Sequence, residues 1–121
     1  MNHIDLAKAF RKLGVESLND MQKATAKAMQ AGKGDVVVLS PTGTGKTLAY
    51  LLPLVEMINP ENDNVQAVVI VPGRELALQS QQVLAAVGAV RGMACYGGRT
   101  AMEEHRTLKQ LRPQVVFATP G

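Results

Sequence analysis

The segment Ser40-Pro41-Thr42-Gly43-Thr44-Gly45-Lys46-Thr47 constrains this chain more than any other. It matches the phosphate-binding loop pattern except at its first position, where Ser40 replaces glycine. Gly43 and Gly45 permit backbone angles and close approaches that a side chain would obstruct. The resulting nest of N–H groups at a helix N-terminus suits phosphate oxygens. In such a loop Lys46 supplies a mobile positive charge to the β- and γ-phosphates, and the Thr47 hydroxyl can ligate Mg²⁺. The loop needs a strand before it and a helix after it. Residues 36–39, an uninterrupted Val-Val-Val-Leu run, predict a strand buried on both faces. Residues 48–58 predict a strongly apolar helix, bent where Pro53 removes a backbone donor. The plainer alternative is a glycine-rich turn that merely joins strand to helix. Even as a phosphate grip, the motif names a ligand and not an activity.

Strand and helix alternate from Val36 onward. A second buried strand is expected over residues 67–71, then Pro72-Gly73 and a helix from Arg74 to Val87. A third strand over residues 93–96 ends at Gly97-Gly98, a helix covers residues 101–111, and a fourth strand covers residues 115–118. This order predicts an α/β fold with a parallel sheet, helices on both faces and ligand sites at the strand C-terminal ends. Two helices precede it. The first carries Ile4, Phe10 and Leu13, with Asn2 as a candidate cap and Gly14 as a stop. Asn19 can cap the second, whose predicted apolar face is Met21, Ala24, Ala28 and Met29 and whose end is Gly32.

Composition narrows the partners. No apolar run approaches the roughly 18 residues of a membrane helix, so no membrane partner is expected. The single cysteine, Cys95, excludes an internal disulfide and suits a reducing, cytoplasmic setting. The net charge of +3 is compatible with a phosphate-rich partner without establishing one. With only Phe10, Tyr50, Tyr96 and Phe117 as aromatics, a base-stacking platform is not expected, so any nucleic acid would be held by its backbone. His3, His105 and Cys95 have no ligand-like neighbours in sequence and are read as two surface residues and a buried strand position.

A second motif, Pro72-Gly73-Arg74-Glu75-Leu76-Ala77-Leu78-Gln79, follows a predicted strand. Taken in order with Gly97-Gly98 and Thr119-Pro120-Gly121, it resembles the first RecA-like domain of DEAD-box RNA helicases, over residues 14–121. The resemblance implies a truncated RecA-like P-loop NTPase domain occupying residues 1–121. It implies ATP or ADP with Mg²⁺ as cofactors, held by Ser40, Pro41, Thr42, Gly43, Thr44, Gly45, Lys46 and Thr47. It also implies sequence-independent contact of single-stranded or duplex RNA, through phosphates and sugars, by Gly73, Arg74, Gly97, Gly98, Thr119 and Gly121. Taken singly, Gly97-Gly98 reads as an ordinary turn and Arg74-Glu75 as a solvated first helical turn in which Arg74 opposes the dipole. Gln22 resembles the adenine-reading glutamine of the family, and it also stands three residues after Asn19, where a capping-box partner belongs. Both readings stay open.

The sequence departs from the family pattern at several places. Val15 stands where an aromatic is usual, Leu18 and Asn19 where Pro and Thr or Ser are usual, and Gly73 where Thr is usual. No Asp-Glu pair occurs in the 121 residues, so the family's Mg²⁺-binding carboxylates and the arginine fingers of the second RecA-like domain are expected outside them. The chain alone is therefore expected not to hydrolyse ATP, since phosphoryl transfer rests on such charges. Bare strand edges would also favour self-association. The rival readings are a non-catalytic nucleotide-binding or interaction module and a related DNA helicase.

Overall fold

The computed structural model describes residues 6–39, 45–88, 90–97 and 101–120. Five helices and three strands follow in order: α1 (Leu6–Leu13), α2 (Asp20–Ala31), α3 (Lys46–Met57), β1 (Ala67–Ile70), α4 (Arg74–Val87), β2 (Gly92–Cys95), α5 (Ala101–Leu111) and β3 (Val115–Ala118). The expected positions Asn2, His3, Ile4, Ser40 to Thr44, Gly98 and Gly121 lie outside the described residues.

The strands form one parallel sheet in the order β1-β3-β2, as the alternation of elements predicts. In register across it stand Ala67, Val115 and Gly92, and, at the other end, Ile70, Ala118 and Cys95. β3 is the middle strand, and Val115 and Phe117 on one of its faces are fully buried. Helix α4 covers that face through Ala77, Leu84 and Val87, buried at helical spacing. It packs so closely that a Cβ at Gly92 would collide with the Leu84 side chain, which explains a glycine inside β2. Leu51, Leu52 and Val55 of α3 join the same core, and α3 continues through its buried Pro53.

The other face is covered unevenly. Met93, Val116 and Val68 lie side by side in register and are 2%, 9% and 60% exposed, respectively. Helix α5 packs at β2, while among the described residues no helix covers β1 on that side. Below the sheet, the buried Gln114 ties the loops together. Its Nε2 donates to the carbonyls of Asn59, Pro60 and Asn62 at 3.4, 3.1 and 3.0 Å, and its Oε1 accepts from the Arg91 N–H at 3.1 Å. Arg91 in turn donates to Asp63 at 2.7 Å.

Three expectations fail. Residues 36–39 form no strand among the described residues, and they are exposed rather than buried. Their exposure alternates, with Val37 and Leu39 at 82% and 92% and Val36 and Val38 turned partly inward. Among the described residues no strand lies alongside the run to accept its backbone groups. The face of α2 is also misassigned. Its buried residues are Gln22 and Thr25, while Ala24 and Ala28 are exposed and, with Met21, border a hollow of about 310 Å³ shared with residues 36–39. Packing against α3 decides which face is covered, and polar Gln22 and Thr25 tolerate it because both are hydrogen-bonded. Cys95 is half-buried rather than buried. His105 is exposed on α5.

Candidate nucleotide and nucleic-acid sites

Helix α3 starts from Gly45, whose φ of 81° and ψ of 34° place it in the left-handed region that glycine alone adopts at little cost. The same glycine permits a close approach, since a Cβ there would collide with the Gln22 side-chain amide. No side chain caps this helix start. This helix start lies at the positive end of the helix dipole, which favours an anion. Lys46 is exposed there and Thr47 is half-buried. Lys46 also borders a cavity of about 270 Å³ with Thr25, Val38, Ala49 and Tyr50. Burial pushes the Tyr50 phenol up from 10.0, with the Ser80 hydroxyl pulling the other way, so it is neutral at physiological pH.

Gln22 is the link between α2 and this helix start. Its N–H donates to Asn19 Oδ1 at 2.8 Å and its Oε1 accepts from the Asn19 N–H at 2.9 Å, a complete capping box. Its Nε2 donates to the Gly45 carbonyl at 3.1 Å. The capping reading of Gln22 is thus realised, and one side chain holds both the end of α2 and the last glycine of the loop.

A second set of groups gathers at the C-terminal ends of the strands. The Val71 N–H donates to the Ala118 carbonyl at 2.9 Å, and the Thr119 N–H to that of Cys95 at 3.1 Å, so the parallel ladder runs one step beyond the strands. Just past it lie Gly73, Thr119 and Gly97, on three adjacent chain segments. Gly73 is the extended N-cap of α4 and, like Gly45, offers no side-chain cap. Helices α3 and α4 both start at a glycine without a side-chain cap, whereas α2 has a complete capping box. Arg74, the first residue of α4, is exposed, and its guanidinium carbon lies 4.9 Å from the centroid of the Tyr96 ring. Sequence reasoning missed Tyr96. Its only signal was its place directly before Gly97-Gly98.

Residues 19–121 match the DEAD/DEAH box helicase family. The chain belongs to that family. It is 42% identical over 120 residues to the DEAD-box ATP-dependent RNA helicase CshA of Bacillus licheniformis, an alignment that takes in 97% of this chain and 24% of the relative. The chain thus spans about a quarter of the length of the curated relatives it matches. Among solved structures it is similar to the DEAD-box helicase Mss116 bound to single-stranded RNA and UDP-BeF, with a TM-score of 0.82 and 28% identity over 97% of this chain and 26% of that one. A structure of Mss116 bound to single-stranded RNA and AMP-PNP is similar with a TM-score of 0.80 and 29% identity, covering 94% of this chain and 25% of that one. The expected RecA-like fold and the family resemblance both stand. Among the described residues no helix is long and apolar enough to cross a membrane.

Proposed function

We propose that this chain contributes the nucleotide-phosphate grip and part of the RNA path of an ATP-dependent RNA helicase that works in the cytoplasm. The observation that carries this reading is the pair of uncapped, glycine-initiated helices α3 and α4, standing in a family member at the positions of the two motifs. Uncapped helix starts offer oriented N–H groups to anions and read no base sequence.

The residues present fit ATP and Mg²⁺. The start of α3 has no side-chain cap, Gly45 holds a left-handed conformation against the Gln22 amide, and Lys46 and Thr47 stand in the first turn. Bound Mg²⁺ supplies neutralisation of phosphate charge. Lys46 then holds phosphate oxygens, the Thr47 hydroxyl serves as a metal ligand, and the segment Ser40, Pro41, Thr42, Gly43 and Thr44 completes the loop. The Gln22 amide keeps one Nε2 hydrogen beyond the one donated to Gly45, and one Oε1 lone pair beyond the one that accepts the Asn19 N–H, for the N7 and N6–H of an adenine edge. Gly73, Arg74, Gly97, Gly98, Thr119 and Gly121 hold one RNA strand by its backbone. Closure against a second RecA-like domain supplies the remaining catalytic charges.

The test is ATP hydrolysis by the protein that carries this chain, with RNA, with DNA of the same sequence, and with neither. RNA stimulation is expected, with little from DNA, because the backbone contacts include the 2′-hydroxyl. Lys46→Ala is expected to lower the stimulated rate by on the order of 10²-fold or more, as loss of one charge-stabilising group does. Equal stimulation by DNA would contradict the RNA reading, and an unaffected K46A rate would contradict the phosphate grip.

A further inference from the structure

Arg74 is an unusual choice for the first residue of a helix. Its charge sits at the positive end of the α4 dipole, and among the described residues it forms no ion pair. A flexible side chain so placed is free to sample many rotamers, which weakens any contact it makes with a ligand. One neighbour limits that freedom. The guanidinium lies over the Tyr96 ring, 4.9 Å from its centroid and within the range at which the ring quadrupole attracts a cation.

The sheet order explains how the two residues meet. Arg74 follows β1 and Tyr96 follows β2, and β3 runs between these strands. Tyr96 directly follows Cys95, whose carbonyl accepts the Thr119 N–H, so it flanks Thr119 on one side as Val71 does on the other. The Arg74 and Tyr96 side chains therefore meet across the end of the middle strand, whose continuation is the Thr119 segment. A ring beneath a guanidinium leaves the N–H donors, which lie in the guanidinium plane, free to meet an acceptor.

We propose that Tyr96 is a positioning residue for RNA binding: its ring holds the Arg74 guanidinium across the sheet edge so that the in-plane donors meet a backbone phosphate at Thr119. The inference rests on the reading of this strand-end surface as an RNA backbone site. It gives Tyr96 a role in which it touches Arg74 and not the nucleic acid. Tyrosine is then one of few side chains able to serve, because the task needs a flat π-face and no hydroxyl.

The experiment measures binding of a labelled single-stranded oligouridylate to the full chain carrying Tyr96→Leu, Tyr96→Phe, Arg74→Ala, Arg74→Lys and the R74A/Y96L pair. Y96L is expected to weaken binding by about two- to fivefold, the range of an exposed cation–π contact, and Y96F to match the parent. Arg74→Lys, which keeps the charge on an exposed residue but loses the stacked plane, is expected to resemble Y96L and to leave folding intact. In the R74A background, Y96L is expected to change nothing further. If R74A leaves both the affinity and its salt dependence unchanged, the RNA site itself is wrong and the inference falls with it. If R74A weakens binding while Y96L and R74K do not, the site stands and the role of Tyr96 is refuted. An equal loss from Y96L with or without Arg74 would mean that Tyr96 contacts the RNA directly, which also overturns the proposal. Should Y96L fail to fold, R74K and Y96F decide the matter alone.

Discussion

Residues 36–39 and strand β3 (Val115–Ala118) are both four-residue apolar runs leading into a glycine-containing motif, and they end in opposite environments. β3 pairs on both edges and buries Val115 and Phe117 completely. Residues 36–39 pair with nothing among the described residues and turn Val37 and Leu39 to solvent. The contrast teaches that a β-branched run encodes a readiness to pair, while burial comes from the neighbours that accept its backbone and cover its faces. The same lesson holds within one sheet. Val68 and Met93 occupy equivalent positions on either side of Val116, yet only Met93 is covered, because α5 reaches β2 and among the described residues no helix reaches that face of β1.

Substitutions on the two sides of this contrast should differ widely. The largest effect is expected for Phe117→Ala, which empties a fully buried site in the middle strand and should cost about 3–5 kcal/mol in denaturant titration. Gln114→Leu should cost about 1–3 kcal/mol by the same method. It preserves bulk at the entry to β3 but leaves the Arg91 N–H and the Pro60 carbonyl without the Gln114 amide, while the Asn59 and Asn62 carbonyls keep the Gln66 Nε2 donor. On the side of residues 36–39, Asn19→Ala and Gln22→Ala should each cost about 1 kcal/mol through the capping box. Only Gln22→Ala should also lower affinity for ATP relative to GTP, and a parallel loss from Asn19→Ala would assign Gln22 a purely structural role. The smallest effect is expected for Leu39→Ala, within about 0.5 kcal/mol. A cost near that of Phe117→Ala would break the comparison, because it would mean that residues 36–39 are buried in solution, as self-association of the chain would make them.

Much of the architecture was legible in the sequence, and for identifiable reasons. Helices α4 and α5 and strand β3 have the limits expected of them, because Gly73, Gly88 and the flanking prolines punctuate them sharply. β1 and β2 are each displaced from expectation by a single residue at one or both ends. The capping box of α2 was readable from the spacing of Asn19 and Gln22. The burial of residues 36–39 was not readable, since local periodicity carries no record of which strand lies alongside. The covered face of α2 was hidden for a related reason. Its apolar residues border a hollow, whereas Gln22 and Thr25 are buried by contacts with the following helix and the Gly45 carbonyl. The pairing of Arg74 with Tyr96 joins residues on strands separated by a third, and only the strand order brings them together.

The central claim is that the start of α3 grips nucleotide phosphates through Gly45, Lys46 and Thr47. Its most direct test is calorimetric titration of the chain and its Lys46→Ala variant with ATP in the presence of Mg²⁺. Lys46 is exposed, so the substitution should leave the fold unchanged. Saturable ATP binding that K46A weakens by tenfold or more, about 1.4 kcal/mol, is the predicted result. Equal affinity of the two proteins would contradict the account.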